Sequence, residues 1–172
     1  MNYFNGFSLH GEEVFFQEQL IQSDFCVAGF SYGAQKALEY AHTTQERIDR
    51  LILLSPAFFQ DQKPSFIRTQ LRYHKANPNA YQEQFLKNVV YPSRIELDKY
   101  LAEGSSQELE ALLTYVWDPA KIKTLLERGV TIEVFIGAED KIVNAQQSFE
   151  FFSSLTTTYW IKGVGHLLRG QD

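Results

Sequence analysis

The stretch Gly29-Phe30-Ser31-Tyr32-Gly33 carries the first chemistry in this sequence. It reads Gly-x-Ser-x-Gly, the spacing of a serine presented at the tip of a sharp strand-to-helix turn. Small residues two before and two after the serine are needed because the backbones nearly touch there. The turn pushes the hydroxyl outward, and the N-terminus of the following helix aims N–H groups at the place where an oxyanion would form. A serine hydroxyl is a poor nucleophile until a base takes its proton, and the base must itself be held by an acid. The four histidines are His10, His42, His74 and His166. His166 lies in Gly163-Val164-Gly165-His166-Leu167, just past the last predicted strand, where a loop from the end of a parallel sheet would hang over the serine. It is the candidate base. His42 closes the helix after Ser31 and is expected at the surface. His74 falls in a basic segment and is expected to be solvated or to bind a ligand, and His10 is a reserve. The candidate acid lies in Gly137-Ala138-Glu139-Asp140-Lys141-Ile142-Val143. Asp140 is preferred over Glu139, because the shorter side chain is easier to hold rigid and Gly-x-x-Asp-x-x-Val fits it. The order along the chain is then Ser31, Asp140, His166.

These side chains need a frame. Residues 1–4 read as a brief strand broken at Asn5-Gly6. Residues 12–22 contain no Gly or Pro and place Phe16 and Leu20 one turn apart, which predicts a helix. Residues 24–28 read as a buried strand ending at Gly29. Ala34, Ala37, Leu38 and Ala41 recur at helical spacing on a small-residue face. Leu51-Ile52-Leu53-Leu54 is the continuous apolar run of a strand covered on both faces. Residues 56–115 carry helical patterns and no convincing strand, with Tyr81, Phe85 and Val89 on one face and Leu109, Leu112, Leu113 and Val116 on another. Asp118-Pro119 predicts a helix start and Gly129 its stop. Val130–Ile136 alternates as a strand, Asn144 caps a further helix, and Thr156–Ile161 is the last strand. Strands alternating with helices imply a parallel sheet. The expected organisation is a core of residues 1–55 and 116–172, with 56–115 as a helical cap over one end of the sheet.

Composition limits the alternatives. The chain has 172 residues, 44% hydrophobic and 22% charged, which excludes a disordered or fibrous chain. A formal net charge of −5 argues against nucleic-acid binding. One cysteine allows no internal disulfide and suits a reducing cytosol, so a cytoplasmic location is expected. Cys26 is read as a small buried core residue. The opening residues lack a basic, then apolar, leader pattern, and no run has the ~18 apolar residues of a membrane span. No metal-ligand spacing or phosphate-cradling glycine loop is present, so no cofactor or metal is expected.

Gly-Phe-Ser-Tyr-Gly, Gly-Ala-Glu-Asp-Lys-Ile-Val and Gly-Val-Gly-His-Leu together resemble the α/β-hydrolase superfamily, whose triad runs in the order seen here. The resemblance implies a minimal α/β-hydrolase fold: about five mostly parallel strands flanked by helices, with a helical cap insertion. It also implies that the backbone N–H groups of Phe7 and Tyr32 form the oxyanion hole. Asn5-Gly6-Phe7-Ser8 stands where the family has a His-Gly-x-x loop, with Asn5 in place of His. The serine also comes at residue 31, far earlier than usual. The opening Phe-x-Gly-Phe, Glu133-Val134-Phe135-Ile136-Gly137 and the late His-Leu-Leu are similar to the short pimeloyl-acyl carrier protein methyl ester esterases of the BioV type. Those enzymes act in biotin synthesis and release methanol and a free ω-carboxylate.

The charge pattern admits such a substrate. Residues 56–100 hold seven Lys/Arg and four Asp/Glu, a balance of +3, which leaves −8 for the rest of the chain. Lys63, Arg68, Arg72 and Lys75 occur with no acidic residue among them, and Arg68 and Arg72 are one helical turn apart. An acidic carrier protein would be steered to such a patch. Phe58, Phe59, Tyr81, Phe85 and Trp117 are the expected lining of an acyl channel. A thioesterase or short-chain carboxylesterase uses the same triad, and a non-catalytic binding module of the same fold is the alternative outside enzyme chemistry.

Overall fold

The computed structural model describes residues 1–171. Five strands, β1 (Asn2–Phe4), β2 (Cys26–Phe30), β3 (Arg50–Leu54), β4 (Thr131–Gly137) and β5 (Thr157–Ile161), form one sheet in that spatial order. All four pairings are parallel. Six α-helices connect them: α1 (Tyr32–Thr43), α2 (Pro64–Ala76), α3 (Pro78–Val90), α4 (Ser106–Thr114), α5 (Pro119–Glu127) and α6 (Ala145–Ser153). A five-stranded parallel sheet flanked by helices is the architecture that the motifs imply.

Period-two alternation sorts the strand side chains onto two faces. Val27, Leu51, Leu53, Ile132 and Val134 pack with α1, α5 and α6 residues such as Leu38, Ile122 and Phe152. Cys26, Ala28, Phe30, Ile52 and Leu54 face the other way, against Phe16, Val89, Leu97, Leu167 and Leu168. Cys26 is buried among them, and burial pushes its thiol up. The helix starts follow their caps: Asp118 accepts from Ala120 N–H at 2.8 Å, and Asn144 from Gln147 N–H at 3.1 Å. Gly129 ends α5 at φ 84°.

Three expectations need correction. Residues 12–22 do not form one helix. A 3₁₀ helix spans only Glu12–Phe16, and the chain then turns through Gln19 and Leu20, whose N–H groups both reach Phe16 O. Glu12 is fully buried and bonded to Gly6, so the first turn is tied inward. Strand β2 starts and ends two residues later than predicted, reaching Phe30 and delivering its end directly to Ser31. Val116 lies beyond the end of α4 and is 66% exposed, while Leu109, Leu112 and Leu113 are buried.

Between β3 and α5, helices α2, α3 and α4 add no strand to the sheet. Leu109, Leu112 and Leu113 pack with Phe7, Ala57, Phe59 and Val143, and with partly buried Phe66, Ile67 and Leu71 of α2. Phe85 of α3 joins both this cluster and the one on the second face of the sheet.

Candidate active site

The turn between β2 and α1 holds Ser31 at φ 55°, ψ −112°, a left-handed conformation that side chains rarely adopt. It is held by its neighbours. Ser31 N–H donates to Leu54 O at 2.9 Å, and Ser31 O accepts from Ala34 and Ala57 N–H, each at 3.1 Å. The flanking glycines are required by contact. A Cβ on Gly29 would collide with the carbonyl oxygen of Gly33, and one on Gly33 with that of Phe4.

His166 follows β5 in a loop tied to the rest of the fold. Ser55 Oγ donates to His166 O at 2.6 Å, Leu167 N–H donates to Val89 O at 3.1 Å, and the His166 ring lies 5.1 Å from that of Phe30. Asp140 follows β4 in a tight turn, where its Oδ1 accepts from Ile142 N–H at 2.7 Å and Val143 N–H at 3.0 Å. Its Oδ2 lies 2.6 Å from His166 Nδ1, and both side chains are fully buried. On the far side of the ring, His166 Nε2 lies 2.8 Å from Ser31 Oγ. With Nδ1–H donating to the carboxylate, Nε2 is free to accept the serine proton. Glu139, the other carboxylate of the turn, is exposed.

The N–H groups of Phe7 and Tyr32 have no hydrogen-bond acceptor among the described residues. Phe7 is buried in the loop after β1, and Tyr32 is the first residue of α1. A cleft of about 660 Å³ lies between α2, α3 and α4 and the turn carrying Ile142. Phe59, Tyr81 and Phe85 line it with Phe66, Leu109 and Leu113. Phe58 and Trp117 do not: they belong to the core between the sheet and α1, α5 and α6, where Trp117 Nε1–H donates to Ala57 O at 2.9 Å. Lys63, Arg68, Arg72 and Lys75 are all exposed on or beside α2, the helix that also contributes Phe66, Gln70 and Tyr73 to the cleft wall.

His74 is not solvated, because α2 turns it inward. It is 5% exposed, its Nδ1 lies 3.0 Å from Ser106 Oγ, and its ring meets those of Phe7 and Tyr81 edge-on. His42 is half-buried and His10 exposed. Sequence reasoning missed Ser55 and Gln35. Gln35 is buried in α1 and donates to both Ala57 O and Leu112 O at 2.9 Å, joining the serine-bearing helix to α4. Ser55-Pro56, directly after a strand, is the one local signal that could have marked Ser55. No group of three or more His, Cys, Asp or Glu is placed to hold a metal among the described residues, and no helix there is long and apolar enough to cross a membrane.

Comparison with known proteins bears on the fold. No curated protein matches the sequence. Among solved structures, the carboxylesterase CesB (YbfK) from Bacillus subtilis aligns at TM-score 0.54 and 20% identity, over 91% of this chain and 57% of its own. The naproxen esterase (carboxylesterase NP) from Bacillus subtilis aligns at 0.55 and 18%, over 83% and 53%. BioG from Haemophilus influenzae aligns at 0.61 and 12%, over 96% of this chain and 87% of its own. The chain thus spans little more than half the length of the two Bacillus esterases. These identities establish a shared fold, and the sequence itself matches the family described as alpha/beta hydrolase fold over residues 12–162: the chain belongs to that family.

Proposed function

We propose that this protein is a serine carboxylesterase that removes the methyl ester from pimeloyl-acyl carrier protein in biotin biosynthesis, in the manner of the BioV-type esterases its motifs resemble. The observation that carries the hydrolytic reading is the continuous hydrogen-bond chain from Ser31 Oγ through His166 to Asp140, at the tip of a strained turn. His166 Nε2 takes the proton as Ser31 Oγ attacks the ester carbonyl, while Asp140 holds the ring and stabilises the imidazolium. The N–H groups of Phe7 and Tyr32 receive the developing oxyanion, each such donor supplying ~3 kcal/mol. His166 returns the proton to the leaving alkoxide, and methanol departs. Water then attacks the acyl-enzyme by the same route, freeing the carboxylate and restoring Ser31 Oγ–H.

Helices α2 to α4 act as a cap, and the aromatic cleft they form receives the acyl chain. Lys63, Arg68, Arg72 and Lys75 present a cationic face on the same cap, which suits an acidic carrier delivering its tethered chain to the cleft. The carboxylesterase descriptions of two structural neighbours favour ester chemistry, and BioG, of which 87% is covered, has the same fold at a similar length.

Incubation with methyl pimeloyl-carrier protein and mass measurement tests the assignment. Replacement of the methyl group by hydrogen, with the carrier thioester intact, is the expected product. Release of the acyl chain makes the protein a thioesterase, and turnover only of small soluble esters makes it a general carboxylesterase. If wild type and Ser31→Ala are equally inert on all of these, the fold serves binding instead of catalysis.

A further inference from the structure

Glu12 has no exposed surface and takes part in none of the steps above. Its Oε1 accepts the Gly6 N–H at 2.7 Å and the Tyr3 hydroxyl at 3.2 Å, while Oε2 is buried with no partner among the described residues. Burying a carboxyl with half its acceptor capacity unused costs stability, so an apolar residue would serve the core better at this position. What the carboxyl holds is the loop between β1 and the 3₁₀ helix. Gly6 is pinned at both ends, its N–H by Glu12 and its carbonyl by Leu9 N–H at 3.3 Å. The loop is closed behind by Asn5 Oδ1, which accepts Gly11 N–H at 3.1 Å. It also presses on the strand that ends at the nucleophile: a Cβ on Gly6 would sit 2.8 Å from Cδ1 of Phe30, the residue before Ser31. The next peptide N–H along the chain is that of Phe7.

We infer that Glu12 is a positioning residue that holds the Gly6–Phe7 peptide so that the Phe7 N–H faces the oxyanion formed at Ser31. The inference rests on the hydrolase reading above. Desolvation by burial raises the Glu12 carboxyl above the ordinary glutamate range, with the Gly6 N–H only partly offsetting it. A protonated carboxyl still offers a carbonyl-type oxygen to Gly6, so the grip depends on an acceptor at this distance and not on charge.

The test uses Glu12→Gln, which keeps an acceptor, Glu12→Leu, which removes it, and Glu12→Asp, which withdraws it by one methylene. Each is assayed for kcat and KM on a small chromogenic acetate ester and for its melting temperature, beside wild type and Ser31→Ala. Loss of an oxyanion donor costs up to about 10²–10³ in kcat, so a mispointed donor should lower kcat by roughly 10- to 100-fold with KM little changed. Glu12→Leu and Glu12→Asp are expected to show this split, and Glu12→Gln to stay within about threefold of wild type. Should Glu12→Leu fail to fold, Glu12→Asp carries the measurement. Wild-type kcat in a folded Glu12→Leu or Glu12→Asp variant overturns the inference, as does a Glu12→Gln loss equal to that of Glu12→Asp. In those cases an active wild type and an inert Ser31→Ala leave the hydrolase reading standing. A wild type inert on all esters, with Ser31 unlabelled by a fluorophosphonate, overturns that reading and the Glu12 role with it.

Discussion

Ser31 and His166 lie 135 positions apart in the chain and meet at 2.8 Å. Replacing Ser31 with alanine should abolish ester hydrolysis, with kcat falling by about 10⁴-fold or more at an unchanged melting temperature. The two carboxylates of the β4 turn can be separated in one assay. Asp140→Asn should lower kcat by about 10⁴ by favouring the wrong histidine tautomer, whereas Glu139→Gln at its exposed site should change kcat little. If Glu139→Gln is the damaging change, the acid is misassigned. Glu12 also makes a prediction about stability. Its native-state carboxyl is raised by desolvation, so between the ordinary glutamate value and the raised one the unfolded chain binds fewer protons than the folded chain. Its contribution is therefore greatest at acidic pH and is lost as pH rises through that window. Melting temperature against pH should fall less steeply in Glu12→Gln than in wild type, and identical curves would refute this. The residues whose chemistry sits in a local pattern were legible in the sequence: Ser31 between two glycines, Asp140 and His166 each just past a strand. Glu12 and Ser55 were not, because each bonds a backbone group at a separation no helix or strand period encodes, Gly6 N–H across a tight loop and His166 O far along the chain.

At the scale of elements, the serine is placed by how closely β2, α1 and β1 approach. Gly33 of α1 lies against the Phe4 carbonyl at the end of β1, and Gly29 against Gly33 itself, so the two glycines set the separation of three elements. Gly33→Ala should therefore fail to yield soluble protein. Gly129→Ala meets no atom within 4 Å and strains only its own φ of 84°, so that variant should fold with a loss of about 1 kcal/mol by chemical denaturation. Equal behaviour of the two variants would remove the close-approach argument. The inner strands β2 and β3 were legible as continuous apolar runs and β4 as an alternating one, because burial dictates their residues. The edge strands β1 and β5 are half-exposed and were read from brevity or from β-branched and aromatic content. The helix expected over 12–22 failed for a different reason. Phe16 and Leu20 satisfy a helical spacing, but the buried Glu12–Gly6 bond holds the first turn inward and Phe16 anchors on Phe30 at 5.0 Å between ring centres. A tertiary contact overrides the local period there, and it does so at the loop that carries Phe7.

At the scale of the whole molecule, charge is segregated along the chain. The chain carries −5 overall, yet residues 56–100 carry +3, so the acidic carrier of the proposed function would meet repulsion from most of the surface and attraction at that segment. Arg68 and Arg72 stand one turn apart on the exposed side of α2, and no carboxylate forms a salt bridge with either among the described residues. Fields from such a patch reach roughly a Debye length, about 10 Å at 0.1 M salt, far enough to orient a docking partner but of little consequence for an uncharged ester that diffuses directly to Ser31. Reversing both charges in Arg68→Glu/Arg72→Glu should therefore lower kcat/KM on carrier-bound ester by about tenfold or more at low salt, while a small acetate ester is hydrolysed at close to the wild-type rate. The wild-type advantage on carrier-bound substrate should shrink as salt is raised, because screening removes the same attraction that the double variant removes. A salt-independent difference would point to short-range packing at these positions instead, and an equal loss on both substrates would mean that α2 supports the cleft and plays no part in recognising the carrier.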